Sequence, residues 1–221
     1  KLDTNGLVLY LDGANSNSYP GSGNTWSDLS GNGNNFTLYG SPSFNPEMEG
    51  GTLVFDESND YAKSTSTSIL NQNAYTKIAV FYPKSSTYNI VSGGSEAQHA
   101  FWMNSSTKLR AGHNNAWTTV EHTPSGGMLD KWHFGAVSFN NSSGWKLYHN
   151  GTLVDTDNST VVSNGNGLVR IAAYNDGGNL FDGRIPVVLI YNRVLSDLEI
   201  QKIHNHFAPR YDLTYGTNSV T

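Results

Sequence analysis

The stretch from Phe181 to Ile200 constrains the fold of this chain most. Ile185-Pro-Val-Val-Leu-Ile-Tyr191 is β-branched and aromatic, too short and too rich in valine for a helix, and reads as a strand. It is apolar at every position, so both of its faces must be covered. One face belongs to a core, and the other lies under a helix or under another subunit. Directly afterwards, Ser196 stands where an N-cap belongs and Glu199 follows three residues later, the spacing of a capping box. Leu198, Ile203 and Phe207 give that helix an apolar stripe, and Pro209 ends it.

The remainder reads as strands and tight turns. Gly6 to Asp12 is apolar on both faces and predicts a central first strand. A turn-rich loop from Asp12 to Gly23 follows, with Trp26 and Leu29 as its anchors. Further strands are expected at Phe36–Tyr39, Gly51–Asp56, Tyr75–Pro83, Tyr88–Ser92, His99–Met103, Lys108–Ala111, Trp117–His122, Lys131–Phe139 and Leu168–Tyr174. In Lys131–Phe139, Trp132, Phe134 and Ala136 share one face while His133, Gly135 and Val137 share the other. Gly144 to Val154 is a hairpin about Asn150-Gly151. No linker divides the 221 residues, which suit one large sandwich over residues 1–211. Asp212 to Thr221 lacks periodicity and reads as a tail or linker.

Several of these words carry a resemblance. Phe181-Asp-Gly-Arg-Ile185 and Ile190-Tyr-Asn-Arg-Val-Leu-Ser-Asp197 closely resemble the end of LamG-like jelly-roll domains, in the concanavalin A-like lectin/glucanase group. The hairpin at Trp145–Val154 and the segment Phe55–Tyr61 are similar to further words of that family, although Glu57 stands where the family has glycine. Asn15–Gly21 and Asp28–Asn35 resemble the versions found in tailed-phage structural proteins. The likeness spans residues 6–211. It implies an all-β, antiparallel two-sheet jelly-roll β-sandwich with one short C-terminal helix.

Composition and motifs exclude most chemistry. A net charge of −5 with 14% charged residues offers no electrostatic grip on nucleic acid or an anionic membrane. Without cysteine there are no disulfides, thiolate zinc sites or thiol catalysis, which leans towards a bacterial or phage source. No apolar run approaches the roughly 20 residues that span a bilayer, and Leu7–Leu11 is too short for a signal peptide. A glucanase of this fold needs paired acids two residues apart on one strand face, and none occurs. Asp56, Glu57 and Asp60 fall across a turn and are expected to cap it. His204 and His206 point in different directions on a helix, so they do not share a metal. The expectation is a non-enzymatic protein.

Two candidate sites remain. Many lectin-like sandwiches hold a structural calcium ion at a sheet edge, and the resemblance implies Asp12, Asp28 and Asp182 as ligands. The alternative is that Asp28 caps its own turn and Asp182 bonds neighbouring backbone. For sugar, an aromatic face beside amides is the required chemistry. Trp102, His113, Asn114, Asn115 and Trp117 supply such a set on adjacent strands or loops. The expected function is a binding or structural module on the surface of a phage virion, as capsid decoration, fibre or tail-associated domain. Its partners there would be other virion proteins, further copies of itself and host glycans. The alternative is a carbohydrate-binding module of a secreted bacterial enzyme or adhesin.

Overall fold

The computed structural model describes residues 2–70, 73–85, 88–93, 98–104, 106–114, 116–163 and 167–213. Its spine is β16 (Asp182–Tyr191), the strand on which the sequence turned. One flank of β16 pairs with β7 (Ala74–Pro83). The other is shared by β5 (Thr52–Asp56), opposite Asp182–Arg184, and β1 (Leu7–Asp12), opposite Val187–Tyr191. The pairing with β7 shifts between Arg184 and Val187, around Pro186. Proline has no N–H for the ladder, and such an irregularity is where a central strand tolerates it. Beyond β7 the sheet continues through β12 (His133–Asn140), β13 (Gly144–His149) and β14 (Thr152–Asp157), and β4 (Ser43–Asn45) closes the far edge. Asn150 and Gly151, at φ 47° and 77°, form the β13–β14 turn. Positive φ at both central residues is what a type I′ hairpin requires.

The second layer begins with β2 (Thr25–Trp26), β3 (Phe36–Tyr39), β6 (Tyr61–Ser64), β15 (Arg170–Ile171) and β8 (Val91–Ser92). β9 (His99–Asn104), β10 (Lys108–His113) and β11 (Ala116–His122) complete it. Backbone bonds from Ile90 to Phe101, Met103 to Tyr88 and Gly93 to His99 join β8 to β9, so these strands form one layer. The sandwich core lies between the layers. Leu9, Leu11, Ile185, Val188 and Phe139 from the first meet Trp26, Phe36, Val91, Phe101 and Leu109 from the second.

The other face of β16 is covered by α1 (Asp197–Phe207). Val187, Leu189 and Tyr191 pack there with Ile200, Ile203 and Phe207. Ser196 accepts from the Glu199 amide and Glu199 reaches back to the Ser196 amide, which completes the expected capping box. Leu198 departs from expectation. It is exposed, and Ile200 takes its place on the buried stripe because Ile200, Ile203 and Phe207 keep the helical spacing. The expected strand Leu168–Tyr174 is also shorter, since Ala172 turns to φ 67° and breaks the extended run. Glu57 adopts φ 60°, so the turn survives the loss of the family's glycine. Packing continues past residue 211: Leu213 is buried and its amide bonds to Ala208.

Candidate functional site

An aromatic-walled cleft of about 220 Å³ opens on the outer face of the second layer. Alternation builds it. Along β9, His99, Phe101 and Met103 point into the sandwich, so Ala100 and Trp102 point outward. Ala100 pairs with Gly112 of β10, and Trp102 with Arg110. Ala100 and Gly112 bring almost no side chain to the outer face, and that gives the cleft its depth. Gly112 is obligatory, because a Cβ there would lie 1.8 Å from the Ala116 carbonyl oxygen, at the irregular start of β11. Trp102, Trp117, Tyr88 and Tyr174 form the walls, with Asn89 and Asn179 completing the lining.

The walls are fixed in place. The indole N–H of Trp102 donates to the Trp117 carbonyl at 2.7 Å. Trp117 meets Tyr174 edge to face, with ring centroids 5.2 Å apart. Arg110 stacks 5.4 Å from the Trp102 ring centre while it bonds Glu121. Asn89 sends its amide N–H towards the Asn179 carbonyl at 3.4 Å, which leaves its Oδ1 buried with no partner among the described residues. A buried acceptor without a donor costs stability, and a ligand group that donates to it would recover that cost.

The sequence-based candidates divide. Trp102 and Trp117 line the cleft, both half-buried. His113 does not. It continues the inward face of Leu109 and Ala111, and it packs among Tyr75, Phe139 and Trp145. Its Nε2 lies 2.5 Å from the Val161 carbonyl, and burial pushes its pKa down to about 4. Asn114, at φ 61°, donates to the Val162 carbonyl, so it ties down the 161–162 segment instead of facing a ligand. Asn115 lies outside the described residues. Tyr88, Asn89, Ala100, Tyr174 and Asn179 escaped sequence reasoning, because pairing between distant segments brings them together.

The calcium set does not assemble. Asp28 accepts from the amides of Tyr10, Ser30 and Asn34 and from the Ser30 hydroxyl, so it caps its turn. Asp12 accepts from Arg210, from the Tyr10 hydroxyl and from the Ala14 amide. Asp182 stands opposite Asp56 across β5 and β16. Asp12 and Asp28, committed to the chain's own donors, leave few lone pairs for a cation. Among the described residues, no three His, Asp or Glu side chains are placed to hold a metal ion.

Two other depressions lie on the surface. One of about 560 Å³ is lined largely by the loops Gly21–Asn24 and Gly40–Pro42, and none of its described lining residues carries a buried unpaired polar atom. Another, of about 320 Å³, is lined in part by His122, His149 and the buried His133. There His133 and His149 bond each other at 2.9 Å, and His133 also bonds the Met128 carbonyl. Asp56 holds the Ser58 amide, as a turn cap does. Burial next to Asp56 raises Asp60 to about 6.

Sheet order, covering helix and an outward aromatic cleft define a lectin-like β-sandwich. The chain matches the Laminin_G_3 family of the concanavalin A-like lectin/glucanases superfamily over residues 56–201, and it belongs to that family. No curated protein matches it. Among solved structures it is similar to the botulinum neurotoxin serotype D binding domain (14% identity, TM-score 0.71, 92% of this chain and 52% of that one). It is also similar to the binding domain of botulinum neurotoxin DC in complex with rat synaptotagmin II (16%, 0.69, 91% and 51%). A third is the binding domain of Paraclostridial Mosquitocidal Protein 1 (15%, 0.69, 91% and 52%). The chain thus spans about half the length of these structures, and at such identities they share its fold alone.

Proposed function

We propose that this chain is a non-enzymatic binding module that holds glycan in the cleft between Trp102, Trp117 and Tyr174. The observation that carries the reading is the pairing of rigid aromatic walls with the unpaired Asn89 oxygen. Rings stack on the C–H faces of a sugar, while the amide oxygen accepts from a hydroxyl. Solved structures of the same fold are binding domains of toxins, which supports a binding role. Binding of the chain and of Trp117→Ala to an immobilised glycan library tests it. Signals that the variant loses support the cleft, and signals that it retains place the ligand elsewhere.

The proposed setting is the surface of a phage virion, with other virion proteins or further copies of the chain as neighbours. It rests on the likeness of Asn15–Gly21 and Asp28–Asn35 to phage versions of the domain. The alternative is a carbohydrate-binding module of a secreted bacterial enzyme or adhesin. Capsid or tail genes beside the coding sequence favour the first, and a catalytic domain in the same reading frame favours the second.

A further inference from the structure

We infer that the cleft selects one uncharged sugar ring and rejects acidic sugars. The inference rests on the reading of the cleft as a glycan site and adds its ligand class. Three observations carry it. At about 220 Å³ the cleft falls below the roughly 300–1,000 Å³ of sites for drug-sized ligands, so it admits a single ring. Among the described residues that line it, none carries a charge at neutral pH. The cation beside it, Arg110, is already committed: its guanidinium lies on the outer sheet face over Trp102 and bonds Glu121 at 3.0 Å and 2.9 Å. A carboxylate buried here would find no unpaired cation among the described lining residues, and a desolvated unpaired charge is strongly disfavoured.

The orphan oxygen sharpens the selection. Asn89, in the cleft lining, turns its N–H to the Asn179 carbonyl and so keeps a buried, unpaired acceptor in the wall. A hydroxyl or an acetamido N–H satisfies it, whereas a carboxylate oxygen is repelled by it. A neutral pyranose supplies such donors around its rim and an apolar face for the tryptophans. Ala100, as the floor, leaves room for that face to settle between them.

The test uses the whole chain and simple methyl glycosides followed by ligand-observed NMR. The neutral set is galactoside, glucoside, mannoside and N-acetylglucosaminide, and the acidic set is glucuronide and sialoside. At least one neutral glycoside should bind, with every acidic one at least about tenfold weaker, a gap of one decade in Kd. Asn89→Ala should weaken the neutral ligand by about tenfold, the size of one lost hydrogen bond, with little change in melting temperature. An acidic glycoside that binds as well as the neutral ones, and is lost in Trp117→Ala, overturns the selectivity and leaves the cleft as the site. Binding of any glycoside that Trp117→Ala does not affect overturns the cleft itself. Absence of binding by all six overturns both.

Discussion

The indole N–H of Trp102 donates to the backbone carbonyl of Trp117 at 2.7 Å, across the outer face of the layer that holds β9, β10 and β11. The bond sets the angle of one cleft wall from the strand that bears the other. Trp102→Phe keeps an aromatic wall and removes the donor. Glycan binding should fall by about threefold to tenfold, because a wall left free to rotate loses its preorganisation. Trp117→Ala should abolish binding and cost only about 1–2 kcal/mol of stability, since the ring is half-buried. Titration and denaturant unfolding of the two variants check both statements.

Arg210, just beyond α1, donates to Asp12 at the end of β1 at 2.7 Å, and the Asp12 side chain is 3% exposed. Arg210→Ala leaves a buried carboxylate without its cation. Breaking a fully buried pair costs about 3–5 kcal/mol, and the partial exposure of Arg210 reduces this to about 2 kcal/mol. Unfolding in urea should show that loss. Adding Asp12→Asn to Arg210→Ala should recover part of it.

Lys77 sits fully buried in the sandwich beside the rings of Tyr75 and Phe101, and among the described residues its amine donates to the Val91 carbonyl alone, at 3.4 Å. Burial pushes that amine down to about 7, from 10.5. Between those values the unfolded chain binds a proton that the folded one does not. Lysine therefore makes stability rise with pH across the window. Lys77→Met should stabilise the protein at neutral pH, and the advantage should shrink towards pH 10.5. Melting curves of both proteins from neutral to alkaline pH read this directly.

Acid should act through opposed groups: buried histidines, His99 and His113 among them, and one raised carboxyl. Burial holds the bonded pair His133 and His149 below the usual histidine value of 6.5, so stability falls as pH drops below it. Asp60 is raised from 3.8 to about 6 by burial beside Asp56, so it binds a proton earlier in the folded state and opposes that fall. Asp60→Asn should stabilise the protein at neutral pH, with the gain fading between 6 and 3.8. His149→Phe should instead reduce the loss of stability below 6.5, with the other buried histidines keeping the remainder. Melting temperatures at a series of acidic pH values separate the two.

The frame of the fold was legible because local chemistry and packing agreed. The Asn150-Gly151 turn, the Ser196–Glu199 box and the doubly apolar Ile185–Tyr191 each report their own surroundings. The cleft was half legible. Trp102 and Trp117 were marked by residue type, and the period-2 pattern Leu109, Ala111, His113 already placed His113 inside, although its neighbours in sequence drew it towards Trp117. Asn89, Tyr174 and Asn179 had no such signal. Their meeting depends on the pairing of residues 88–93 with β9 and on the bond between Asn89 and Asn179, which no local pattern encodes.

The five tryptophans make the most direct test of the cleft. Their indole N–H resonances can be followed in a ¹⁵N-labelled sample titrated with the neutral methyl glycosides. Trp102 and Trp117 should move with ligand. Trp26 and Trp145, buried in the sandwich, and Trp132, beside Tyr82 and Tyr211, should stay fixed. Movement of Trp132 alone, or ligand binding that leaves Trp102 and Trp117 unshifted, would contradict a sugar seated between them.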